Sequence, residues 1–251
     1  MVCNILRAAG CGNFDLRLSM NFVEGVVFNI DKPYGWSSTD VVRKLKNELR
    51  RAGYPKIKIG HAGTLDPLAT GVLLVCVGKA TKRVDELQAQ KKEYIATIEL
   101  GATTPSFDLE HDVDERYEFE HINGELIESI LPLFRGEIEQ VPPLYSAKRI
   151  DGKRAYEYAR AGKDVELRTA RIIIYDMEVL SYEKPFLKVR VECSKGTYIR
   201  SLARDIGVEL GSGGHLTELV RSRSGEFLVA DSQKVEQVME LISQHNETIS
   251  V

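Results

Sequence analysis

Three absences narrow what this 251-residue chain does. It lacks long apolar runs: none approaches the roughly 18 residues a membrane-spanning helix needs, and near the N-terminus Asn4 and Arg7 break up Cys3, Ile5, Leu6, Ala8 and Ala9 too soon for a secretion signal. Cysteine is scarce, and Cys3, Cys11, Cys76 and Cys193 show no paired metal-ligand spacing. That excludes a zinc module or disulfide scaffold and points to free thiols in a reducing cytoplasm. No glycine-rich nucleotide-binding loop, internal repeat or low-complexity tract occurs, which is consistent with chemistry that needs no cofactor and no metal. A composition 43% hydrophobic and 28% charged is that of an ordinary globular protein.

The formal charge is only −3, but it is unevenly distributed. Between Arg43 and His61 there are seven Lys/Arg against Glu48 alone, and Lys148 to Arg171 holds eight against four acids. Ser106 to Glu128 carries nine acids against Arg116. Basic and acidic faces cancel in the sum, and phosphates would meet the local basic density. A charged run is also what any solvated helix face displays.

The densest chemical signal is Gly60-His61-Ala62-Gly63-Thr64-Leu65-Asp66-Pro67-Leu68-Ala69-Thr70-Gly71. One carboxylate, Asp66, stands among small, apolar or neutral residues. Pro67 disfavours the α region for the residue before it, so Asp66 is expected extended at a turn. The apolar run Val72 to Val77 follows, of strand length, ending at Gly78. A single acid at the mouth of a buried strand results, although Asp-Pro also opens ordinary turns.

The rest reads as alternating strands and irregularly placed helices. Strands are expected at 23–30, 94–100, 171–182, 186–193 and 216–223. Helices are expected from Ser37 or Ser38 to about Ala52, where Gly53 stops it, and over 80–88, 126–134, 197–210 and 234–244. Along 94–100, Tyr94, Ala96, Ile98 and Leu100 share one face. The fold class is mixed α/β or α+β rather than regularly doubly wound. Residues 1–20 read as a disordered tail, or as an extension ahead of a start at Met20, and 21–251 as a single domain.

The Gly60–Leu73 segment resembles the GHxGxLDPxAxGxL signature of the TruB family of pseudouridine synthases. Three further blocks complete the family's order, one before this segment and two after it. Lys32-Pro33-Tyr34-Gly35-Trp36-Ser37-Ser38 is similar to the family's opening segment, Lys92 to Gly101 to its KxYxxxxxLG strand, and Cys193-Ser194-Lys195-Gly196-Thr197-Tyr198-Ile199-Arg200 to its CSKGTYIR segment. The resemblance spans about residues 24 to 225. It implies the pseudouridine synthase fold: a mixed, largely antiparallel sheet flanked by helices and loops around a central RNA-binding cleft.

The resemblance also implies roles. Asp66 is the essential carboxylate, Arg200 its cationic partner and Tyr94 the tyrosine that stacks on uracil. His61 fills the gap left by flipped bases, Lys82 corresponds to a lysine after the strand, and Leu219 lines the pocket. The stretch 141–164, with Tyr145, Lys148, Arg149, Lys153, Arg154, Tyr156 and Tyr158, resembles a thumb-like loop that clamps a T stem-loop. Read without the family, Tyr94 and Leu219 serve equally as core and Arg200 as a surface arginine. The implied activity is isomerisation of the T-loop uridine of tRNA, position 55 in conventional tRNA numbering, by a cytoplasmic enzyme without membrane contact or obligate protein partner, a monomer. The guide-dependent ribosomal-RNA branch and a non-catalytic tRNA-folding chaperone are the alternatives. One departure stands out: only about 25 residues follow Phe227, too few for the PUA-type domain common in bacterial members.

Overall fold

The computed structural model describes residues 4–6, 21–146, 149–150, 153–160 and 167–249. Lys148, the rest of the first twenty residues and all of 161–166 therefore lie outside the described residues, and for Arg149, Lys153 and Arg154 only the backbone is described. The chain divides into two compact units, 1–92 with 220–251, and 93–219.

In the first unit, strand Ala69–Val77 is paired antiparallel with Val26–Lys32 and with Ile59–His61. Asn4–Leu6 adds to Val26–Lys32 in parallel. Alternate residues of the central strands feed two cores. Val26, Phe28, Ile30, Leu73, Val75 and Val77 pack with Val41, Leu45 and Leu49 of helix Ser38–Arg51 and with Val235, Val238 and Ile242 of helix Val235–Ile249. Val27, Val72, Leu74 and Cys76 pack instead with Ala80, Leu87 and Phe227. Burial of both faces is why 72–77 is apolar at every position rather than alternating. Cys76 and Cys193 are both buried.

The second unit is built on four strands in the spatial order Lys92–Leu100, Phe186–Cys193, Ala170–Glu183, Gly136–Gln140. Phe186–Cys193 and Gly136–Gln140 each pair antiparallel with Ala170–Glu183. Along Lys92–Leu100 burial alternates strictly, with Tyr94, Ala96, Ile98 and Leu100 inside as expected. Gly207 of helix Ile199–Glu209 lies against the chain at Gly214, where a Cβ would come within 2.4 Å of a backbone nitrogen. Only glycine permits that approach, and it sets the depth of the helix that carries Arg200.

Several boundaries differ from the sequence expectation for local reasons. The first long strand starts at Val26, not Val23: the Asn21 side chain accepts from the Val23 and Glu24 amides, and Gly25 turns at φ 120°. The segment expected as one helix over 80–88 is a 3-10 turn, Gly78–Arg83, followed by helix Val84–Ala89. The one expected over 126–134 is helix Gly124–Ile130 and then a 3-10 turn, Leu131–Phe134, because Pro132 cannot donate to the α ladder. Among the described residues no helix is long and apolar enough to cross a membrane.

Candidate active site

In the first unit, the loop that carries Asp66 runs from strand Ile59–His61 into strand Ala69–Val77, and its backbone is tied down at nearly every step. Arg221 donates from Nη2 to the Gly63 carbonyl at 3.2 Å, from Nη1 to Thr64 at 3.3 Å and from Nε to Val72 at 2.7 Å. Ser38 Oγ accepts from the Leu65 amide at 2.8 Å and donates to the Leu65 carbonyl at 2.9 Å. Lys32 Nζ donates to the carbonyls of Pro67, Pro33 and Trp36, and the Gly35 amide also donates to Pro67. Asp31 accepts from the Gly71 amide at 3.1 Å.

These contacts explain why the flanking sequence is what it is. Ser37 closes a capping box with Asp40, which fixes the helix start and aims Ser38 at Leu65. Ala62, Leu65 and Ala69 are buried while Asp66 is half-buried. Hence apolar side chains anchor the loop and the carboxylate stays accessible. Lys32 has no exposed surface, and burial lowers its pKa to about 8, with the negative charge of Asp66 pulling partly the other way. His61 is half-buried in the same unit; burial first, and the Arg221 charge second, hold its pKa below the usual histidine value. It is therefore a neutral imidazole near pH 7.

Lys82 is exposed on the 3-10 turn after strand Ala69–Val77. It lines a groove of about 610 Å³ with Tyr54, Lys56, Lys58 and Lys79, so the end of the first basic run and Lys82 share one surface. Lys79 is ion-paired with Glu24 at 2.7 Å.

In the second unit Arg200 is buried in the first turn of helix Ile199–Glu209. Gln140 fixes that turn, accepting from the Tyr198 amide at 2.8 Å and donating to its carbonyl at 3.1 Å. The guanidinium donates to the carbonyls of Ser106 at 3.2 Å and Tyr145 at 3.0 Å, and its Nε lies 3.6 Å from the carboxylate of Asp108. Both side chains of that ion pair are buried. Asp108 follows Phe107, which stands at φ 62° with Arg204 over its ring at 4.8 Å. A non-glycine residue held in the left-handed region costs of order 1–3 kcal/mol, so the loop is over-determined by its surroundings. Tyr94 is buried on the inner face of its strand and Leu219 is half-buried.

The sequence reading missed Asp108, Arg221 and the structural part played by Lys32. Asp108 sat inside an acidic stretch, and its one distinguishing signal was the Thr-Thr-Pro-Ser loop before it.

The model of the TruB family pseudouridylate synthase N-terminal domain matches residues 50–199, and that of the tRNA pseudouridylate synthase B C-terminal domain matches 200–250. The chain belongs to the TruB family. It is 56% identical over 226 residues to the tRNA pseudouridine synthase B of Phocaeicola vulgatus, covering 90% of this chain and 96% of that relative. To the protein of that name from Bacteroides fragilis (strain ATCC 25285) it is 53% identical over 232 residues, 92% of this chain and 100% of the relative. Among solved structures, this TruB family chain resembles one in a Cbf5–Nop10–Gar1 complex with a TM-score of 0.68 and 33% identity, over 89% of this chain and 56% of that one.

Proposed function

We propose that this TruB family member is a stand-alone enzyme that converts the T-loop uridine of tRNA, position 55, to pseudouridine. The reaction breaks the bond between ribose C1′ and uracil N1, rotates the base and joins C1′ to C5. The proton leaving C5 balances the one gained at N1, so substrate and product are isomers. Extruding the base from its stack costs a few kcal/mol before any chemistry begins.

The observation that carries the reading is the Asp66 loop: a half-buried carboxylate on a backbone held from both sides by Arg221, Ser38, Lys32 and Asp31. A group that must meet the sugar at a set distance gains from such preorganisation. Asp66 is assigned as the essential carboxylate, Tyr94 and Leu219 as residues of the uracil pocket, and Arg200 as the cation that serves the carboxylate. His61, Lys82, Lys148, Arg149, Lys153 and Arg154 are assigned to RNA contact. The relatives named tRNA pseudouridine synthase B, matched over nearly their whole length, favour tRNA over the substrates of the guide-dependent ribosomal-RNA branch.

A single-turnover assay on a T stem-loop transcript tests this, with Asp66→Asn in parallel. The wild type should form pseudouridine and Asp66→Asn none, while RNA binding by the variant stays within about threefold. Residual turnover within about tenfold of wild type, only ~1.4 kcal/mol of barrier, removes Asp66 from the central role.

A further inference from the structure

We infer that Arg221 is a positioning residue for the reaction: it clamps the entry and exit of the Asp66 loop with three directed hydrogen bonds. The inference rests on the assignment of Asp66 as the essential carboxylate. Arg221 is fully buried. Its recorded hydrogen bonds go to backbone carbonyls: Gly63 and Thr64 before Asp66, and Val72 after it. Burying a charge is costly, and the three carbonyl dipoles help to offset that cost here.

The geometry suits arginine and no other side chain. A planar fork has donors on two edges and can hold carbonyls from two separated chain segments at once. A lysine ammonium is a point donor on a flexible stem and cannot reproduce the span. The backbone of Arg221 takes part as well: Gly71 stands at φ 96°, and a Cβ there would lie 2.3 Å from the Arg221 carbonyl oxygen. One residue thus presses the loop's exit with its main chain and ties entry and exit together with its side chain. Asp66 lies between the tied carbonyls, so loosening them shifts the carboxylate without touching it.

The test uses full-length Arg221→Lys and Arg221→Met, the second matched in length but without donors. At saturating RNA and well below the unfolding temperature, the single-turnover rate should fall about tenfold for Arg221→Lys and about a hundredfold for Arg221→Met. RNA affinity should stay within about threefold in both. Amide hydrogen exchange of Ala62, Leu65 and Gly71 should accelerate in both variants. A residue that only supports the fold would lower the unfolding midpoint and leave the rate of the folded fraction unchanged, and that result overturns the inference.

Should neither variant fold, exchange in the wild type decides. A clamped loop exchanges only through global unfolding, whereas rapid local exchange of those three amides refutes the clamp. Asp66→Asn separates the two claims, since it should abolish turnover with wild-type loop exchange. An active Asp66→Asn sinks the catalytic assignment, while the exchange data still judge the clamp.

Discussion

At the scale of single residues, Lys32 and Arg221 of the first unit and Arg200 of the second are buried charged groups, each stabilised differently. Arg200 combines two carbonyls with the Asp108 carboxylate, Arg221 donates to three carbonyls, and Lys32 has three carbonyls and a pKa of about 8. For Arg200 the fork is again decisive, because one ammonium cannot serve Ser106, Tyr145 and Asp108 together. Arg200→Lys is expected to lower turnover by at least about tenfold, and Asp108→Asn by a similar factor, each with RNA affinity nearly unchanged. Rates within about twofold of wild type in stopped assays would mean that the pair does not support the reaction.

Lys32 yields a prediction about stability. An unfolded lysine titrates near 10.4, roughly, and the folded one at about 8. Between these values the unfolded chain holds a proton that the native chain has released, so raising the pH through this window stabilises the fold. The penalty of the charged buried amine is present in full below about pH 8. Measured as urea midpoints, the wild type should gain on Lys32→Met between about pH 7 and about pH 9.5. A difference constant across that range would show that Lys32 does not titrate there.

Asp66 was legible in the sequence because its signal is local: a carboxylate, a proline and glycines in one short run. Arg221 and Lys32 were not, because their partners are main-chain carbonyls, which every residue has. For Arg221 they lie about 150 positions away.

At the scale of elements, the sequence was most informative where burial follows a simple period. Strand Lys92–Leu100 alternates, and helix Ser38–Arg51 places Val41, Leu45 and Leu49 inside with a capping box at its start. Strand Gly136–Gln140 went unnoticed, since Glu137, Glu139 and Ile138 give no apolar face to read and its pairing with Ala170–Glu183 supplies the reason it is a strand. The glycines that matter are likewise explained only by what lies opposite them. At Gly71, φ 96° and the 2.3 Å approach to the Arg221 carbonyl leave no room for a methyl group. Gly71→Ala should therefore cost more than the ~1–3 kcal/mol of backbone strain alone, read as a loss of unfolding free energy in urea. Gly60→Ala, with nothing within 4 Å of the added carbon, should cost far less. Equal losses for the two would contradict the close packing of loop and strand.

For the whole molecule, a net charge of −3 hides how unevenly the basic residues are placed. Lys56, Lys58 and Lys82 share a groove in the first unit, while in the second the paired segments Arg149–Ile150 and Lys153–Arg154 place four residues of the thumb-like stretch in an antiparallel turnback. If these basic groups hold phosphates, binding must release counter-ions, and log affinity must fall linearly with log salt. Each phosphate contact contributes about 0.7–0.9 to that slope. Replacing Lys153 and Arg154 together by Gln should weaken tRNA binding and flatten the slope by about 1.5, while turnover at saturating RNA changes little. A T stem-loop of roughly 17 nucleotides, an A-form stem recognised by shape with a splayed loop, should bind about as tightly as whole tRNA. The Lys56→Gln, Lys58→Gln pair offers the comparison from the other unit, with a slope change of the same size. Far weaker binding of the stem-loop than of whole tRNA, with a slope indifferent to Lys153 and Arg154, would place the grip on another surface of the protein and take the thumb-like stretch out of RNA recognition.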